Sequence, residues 1–295
     1  MKLSHNQAVW LMVAVTLLWS TAGVVTRHLA YAQKFEVTFW RSFVTMLCLL
    51  VLLPAFKGRG VFGRMRREGA VLWFSGLCWC GMMTFFMVAI MLTTVANVLV
   101  TMALIPLLTA LASSVLLGHR IALRTWLAIV AAGGGIAYMY ASQLNQGISL
   151  AGTLVALCLT VAGAANWTIN QYAQAHGRNV DLIPAVLIGA ALSALLMLPL
   201  AWPFQASAHD MVLLIGLGVG QLAIPCVLVV VCARVLNATE VALLGLLEVI
   251  FGILLVWFGA GEVPTHDVLL GGSLVIGALV VNELLGWRSR AVLLS

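Results

Sequence analysis

Charge is what this sequence has least of. Only 8% of its 295 residues are Asp, Glu, Lys or Arg, and the acidic ones number nine. That is too little polar surface to cover a water-soluble body of this length, which excludes a soluble globular class. Hydrophilic stretches are equally scarce. The longest connection between apolar runs is Lys57 to Gly69, so no separate soluble domain is expected. Missing too are G-x-x-x-x-G-K-[ST], H-E-x-x-H and G-x-S-x-G, so there is no phosphate cradle for ATP-driven pumping, no zinc-protease pair and no esterase-type nucleophile. His5, His28, His119, His176, His209 and His266 all fall outside the centres of the apolar runs, which argues against an intramembrane enzyme. The six cysteines lie inside those runs, and Cys78 and Cys80 point to different sides of a helix with no histidine or carboxylate nearby. They read as small buried hydrophobes rather than disulfides or metal ligands. No cofactor or metal is expected.

Apolar sequence is what the chain has in excess, at 63% hydrophobic residues and a mean hydropathy of +1.11. A bilayer span needs about 20 apolar residues. Breaks in hydropathy give ten runs: Ala8 to Thr26, Val37 to Leu53, Ala70 to Leu92, Val95 to Leu117, Thr125 to Tyr140, Leu150 to Tyr172, Leu182 to Leu200, Met211 to Ala233, Val241 to Phe258 and Val268 to Leu285. The expected fold is an all-α integral membrane protein with ten transmembrane helices. Met1 to Gln7 has little basic character and no cleavage pattern follows it, so the first run is read as a retained span.

Basic residues set the orientation. With the N-terminus in the cytoplasm, all but Arg27, Lys34 and the intramembrane Arg41 of the 15 Lys and Arg residues lie on the cytoplasmic side. This is the positive-inside bias, and ten spans return the C-terminus to the same side. The net charge of +6 then reflects topology, and no nucleic-acid partner is implied.

The chain contains one pattern twice. Thr94 to Ile121 and Thr239 to Pro264 align so that Ile105 and Pro106 fall opposite Glu248 and Val249, and Gly118 and His119 fall opposite Gly261 and Glu262. Trp19 of span one falls opposite Trp167 of span six. Two copies of five spans must enter the membrane from opposite sides, so residues 1–146 and 147–295 are expected to be inverted repeats. Alternating access around a site near the midplane follows from that symmetry.

Polar residues inside the spans are the candidates for that site. Glu248, alone in the middle of an apolar run, comes first, with Gly252 on the same helical face. Its reading is open between proton exchange, structural pairing and binding a ligand amine. Arg41 either snorkels outward beside Lys34 and Glu36 or lines a cavity. Asn97 and Thr101 share a face ahead of Pro106. Asn166 and Asn170 share a face of span six and either bond other helices or contact substrate. Gln221 follows Gly216, Gly218 and Gly220 and precedes Pro225, which marks a deformable inward segment. Trp19 and Trp167 complete the expected amphipathic cavity. The triple glycine Gly133 to Gly135 reads as close helix packing.

In their order and duplication, LLWSTAGVVTRHLA at Leu17 to Ala30, the early arginine of span two, TTVANVLVTMALIPLLTALASSVLLGHRI and TEVALLGLLEVIFGILLVWFGAGEVPT resemble the EamA-type branch of the drug/metabolite transporter superfamily. The resemblance implies a ten-helix carrier in a bacterial inner membrane, exporting amino acids or other small metabolites through a central cavity. Facilitated uptake or exchange is the alternative within transport, and a receptor or structural component the alternative outside it. A polyanionic substrate is disfavoured, because Arg41 is the one inward basic residue. Protons are a candidate coupling ion, and a monomer is expected. Two positions depart from the family pattern: His119 stands where glutamate is common, and Val249 where proline commonly follows the glutamate. The second departure predicts that span nine lacks the kink that Pro106 gives span four.

Overall fold

The computed structural model describes residues 3–58, 60–65, 67–117, 122–144, 150–175, 183–232, 235–236 and 238–293. Among them there is no strand. The helices are α1 (His5–Arg27), α2 (Lys34–Lys57), α3 (Val61–Met65), α4 (Ala70–Leu92), α5 (Val95–Met102), α6 (Ile105–Leu117), α7 (Leu123–Leu144), α8 (Leu150–Ala175), α9 (Ile183–Ala201), α10 (Ala208–Gly216), α11 (Ile224–Cys232), α12 (Ala238–Gly245), α13 (Leu247–Ala260) and α14 (His266–Leu293). A π-helical segment, Leu217–Ala223, joins α10 to α11. Among the described residues, eight stretches are long and apolar enough to cross a membrane, and two shorter apolar helices, Leu123–Met139 and Leu247–Ala260, accompany them.

Polarity runs inside out. Trp10, Val115 and Phe258 face outward, whereas Thr16, Arg41, Ser42, Asn97, Thr101 and Asn166 are buried. A water-soluble fold would bury the first group and expose the second; lipid reverses the preference. The chain is a multi-pass membrane protein.

Three long runs are interrupted, each with its own cause. Pro106 has no N–H and its ring crowds the carbonyl four residues back, so the run from Val95 breaks at Ala103 and Leu104, where Leu104 N–H turns back to Thr101 O at 3.1 Å. Pro225 acts in the same way on Gln221, and the turn around Gln221 widens to π geometry instead of breaking. The third interruption corrects the expectation from Val249. Helix α12 ends at Gly245 and α13 begins at Leu247, with Val249 N–H bonding Leu246 O at 3.1 Å, so span nine breaks without a proline. The two breaks fall at matching positions of the aligned stretches.

Packing joins distant parts of the chain. Helix α1 lies on α13 and α11, α6 and α4 both lie on α8, α4 also lies on α9, α2 contacts α9 and the π segment, α5 contacts α13, and α7 packs on α14. In the last pair the position of a Cβ on Gly135 would be 2.7 Å from Gly271 O, which explains part of the triple glycine. The connection Lys57 to Gly69 carries the short helix α3, whose Val61 is buried with Leu49, Leu53 and Met83. Gly118, His119 and the 146/147 boundary lie outside the described residues.

Candidate functional site

Helix α2 carries Arg41 into the bundle, not outward. The residue is 2% exposed. Two close approaches put it there. A Cβ on Gly218 would sit 2.6 Å from Val44 and 3.1 Å from Arg41 O, so only glycine lets the π segment lie this near α2. Thr45 then bridges the two, its hydroxyl donating to Arg41 O at 2.8 Å and to Gly218 O at 3.0 Å.

The wide turn delivers Gln221 to the guanidinium. Arg41 Nε donates to Gln221 Oε1 at 3.0 Å, and Gln221 Nε2 donates to Trp19 O at 3.2 Å, so one amide links α2, the π segment and α1. The guanidinium lies over Phe86, 5.6 Å from the ring centre. Its Nη1 is buried and has no hydrogen-bond partner. Nearby hydroxyls form a chain across three helices, Ser42 to Ser193 at 2.9 Å and Ser193 to Thr84 at 2.9 Å.

Glu248 comes from α13. It is the second residue of α13, just past the break, and is half-buried. Its backbone carbonyl accepts from Ser20 Oγ at 3.0 Å, which fixes the break against α1. Its carboxylate makes no hydrogen bond or ion pair among the described residues, yet Arg41, Cys226 and Glu248 lie within one another's electrostatic field. Trp19, Arg41, Gln221 and Glu248 are thus the sequence candidates that the fold brings together.

The others are placed elsewhere. Asn97 Nδ2 donates to Thr93 Oγ1 at 3.1 Å, and Thr101 Oγ1 to Asn97 O at 2.7 Å, both buried in α5, while Thr160 of α8 reaches Thr101 O at 3.2 Å. Asn166 accepts from Ser75 at 2.7 Å, and Asn166 Nδ2 and Asn170 Oδ1 are buried without partners. Two further candidates lie apart from that group. Trp167 is 46% exposed, while Asn166 and Asn170 hold a buried face of α8. Gly252 is a packing residue: a Cβ there would come within 2.4 Å of Leu99.

Sequence reasoning missed a charged latch at the end of the bundle where α1 finishes. Arg27 Nε donates to Glu262 Oε2 at 2.6 Å, Nη1 to Ile90 O at 2.7 Å and Nη2 to Thr93 O at 3.0 Å, while Glu262 Oε1 accepts from Val95 N at 2.8 Å. Gly261, in the left-handed conformation at φ 69°, turns the chain so that Glu262 points back over α13. The one signal available was an arginine closing span one and a Gly-Glu pair closing span nine.

The family profile for EamA-like transporters matches residues 6–141. No curated protein sequence matches the chain. A solved crystal structure shares the fold at a TM-score of 0.62 and 20% identity, covering 96% of this chain and 99% of its own.

Proposed function

Because residues 6–141 match the EamA-like transporter family, we propose that the chain is a secondary active transporter that moves a small amphipathic metabolite by alternating access. It has ten spans in two inverted halves, 1–146 and 147–295, with both termini cytoplasmic in a bacterial inner membrane. It works as a monomer, without a cofactor, and its direction is export.

The packing supports the inverted halves. Exchange of each span for its counterpart five spans away turns α1 on α13 into α8 on α6, and α4 on α8 into the π segment and α11 on α1. It turns α4 on α9 into the π segment on α2, and maps α2 on α9, α5 on α13 and α7 on α14 onto themselves. A chain whose contacts repeat in this way has the means to take two related conformations.

The observation that carries the function is the buried Arg41, bonded to an amide on a π turn, together with Glu248 placed just past a helix break. Charged groups and irregular backbone at membrane depth persist where they serve a pathway. Counterflow of radiolabelled amino acids and amines in proteoliposomes tests the reading. Wild-type protein is expected to exchange at least one of them, with at least about a tenfold loss in Glu248→Gln. Folded protein that exchanges none would refute it. Proton coupling through Glu248 is a second reading, favoured by a carboxylate left without a bonded partner. An exchange rate that responds equally to a pH gradient in wild type and Glu248→Gln would remove it.

A further inference from the structure

Helices α7 and α14 pack chiefly on each other, and α14 is the least buried of the eight long apolar stretches, so the pair faces lipid. Their contact is tight where Gly135 meets Gly271 and opens, towards the start of α7, into a groove of about 320 Å³. The groove exists because its lining lacks bulk. Ala128, Ala131 and Ala278 carry only a methyl, and a Cβ on Gly277 would meet nothing within 4 Å. Among the described residues that line it, Arg124 alone is charged, and it stands at one end. There Nη1 donates to Leu285 O at 2.8 Å, and the guanidinium lies so near α14 that a Cβ on Gly286 would be 3.3 Å from Nη2. Beside it Thr125 Oγ1 donates to Asn282 Oδ1 at 2.9 Å, so two bonds between the helices hold this end. From Ser273 to Leu285 the groove follows α14 for about 18 Å, at about 1.5 Å per residue. One leaflet's hydrocarbon is about 15 Å deep, half of a core about 30 Å thick.

We infer that the groove between α7 and α14 is a binding site for one anionic phospholipid, with an acyl chain along the groove and the phosphate at Arg124. A tail gains no hydrophobic energy by leaving other tails, so the groove contributes close packing and the head group contributes the selection. Arginine matches phosphate oxygens with a planar fork of donors. The charge around it has the same sign. Arg120 lies about one turn earlier in the sequence, and α14 runs on through Arg288 and Arg290, whereas the carboxylate on that stretch is Glu283, which accepts from Asn282 Nδ2 at 3.4 Å. In the proposed orientation this end is cytoplasmic, and each arginine there favours an anionic head group about fivefold. A second copy of the chain suits the groove less well, because a two-fold interface along it would bring two Arg124 side chains to the same end. The lipid would touch both helices with its tail and bind where Arg124 already joins them, bracing α7 against α14. Such a site is independent of what the protein carries, because it faces the bilayer.

The test uses the full chain in detergent micelles, with native mass spectrometry to count retained lipids and thermal unfolding as a second readout. The probes are dioleoyl-phosphatidylglycerol, dioleoyl-phosphatidylcholine, which has the same tails, and inorganic phosphate. Wild type is expected to retain one phosphatidylglycerol at least about tenfold more strongly than phosphatidylcholine, and to gain no stability from millimolar phosphate. Arg124→Gln keeps an N–H donor for Leu285 O but loses the charge, and should lower that preference about fivefold; Arg124→Lys should keep most of it. Gly277→Leu places its side chain in open space, so the chain should fold, and by filling the groove it should weaken retention of both lipids at least about fivefold. Equal retention of the two lipids by wild type, an unchanged preference in Arg124→Gln, unchanged retention in Gly277→Leu, or equal stabilisation by phosphate alone would each overturn the inference. So would a dimer that Gly277→Leu converts to a monomer, which would assign the groove to a second copy.

Discussion

The two ends of the bundle are built differently. Where α1 finishes, charged side chains bind backbone from distant segments: Arg27 and Glu262 tie together α1, α4, α5 and α13, and Asp210 and Glu36 hold the connections at Ala30 to Ala32 and Gln205 to Ala206. Where α1 begins, the contacts between described residues are wetter. His5 meets Glu240 at 2.8 Å with side-chain exposures of 56% and 30%, against 27% and 19% for Arg27 and Glu262. Thr125 and Asn282, and Ser113 and Gln171, are neutral pairs. Exposed ion pairs contribute little, and charge-assisted bonds to sheltered backbone contribute more. The difference teaches where sheltered charge sits: Arg27 and Glu262 lock four helices at one end, while at the other, among the described residues, His5 with Glu240 and Arg124 with Leu285 O are exposed contacts.

Removing the lock should have the largest effect. Arg27→Ala leaves Glu262 and two carbonyls without their partner and should cost about 3 kcal/mol of stability in this conformation. Cysteines placed near Val95 should then react faster with a membrane-impermeant maleimide. The swap Arg27→Glu with Glu262→Arg should restore part of the protection, and equal reactivity in all three proteins would show that the pair is not a latch. Asp210→Asn is next. It keeps one acceptor but loses the charge on four backbone N–H bonds, so about 2 kcal/mol is expected in thermal unfolding. His5→Gln should change stability by at most about 0.5 kcal/mol and leave Val95 labelling unaltered. A larger shift from His5 than from Arg27 would invert the comparison.

Much of the architecture was legible because hydropathy reports length directly: among the described residues each long apolar run is helical, three of them with an interruption. The breaks were legible only where proline caused them. Pro106 and Pro225 announce their distortions, whereas the break at Leu246 has no local cause and is tied instead to Ser20 on Glu248 O and Leu99 against Gly252. The site divided in the same way. Glu248, Arg41, Gln221 and Trp19 stood out by polarity or size, but whether Arg41 turned inward depended on Gln221, 180 positions further on, and no local pattern carries that information. Trp167 shows that repeat alignment matches positions, not faces: it is exposed where its neighbours Asn166 and Asn170 are buried.

The π segment has a further consequence, in rotation. Each residue held in excess over α-helical winding turns everything after it by about 100°. Tightening Leu217–Ala223 to ordinary winding would therefore roll α11 about its own axis like a bolt advanced by part of a turn. Cys226 would pass out of the neighbourhood of Arg41, and a different row of side chains would meet α1, with little change in the length of the helix. The segment stores angular travel beside the charge at the centre of the protein.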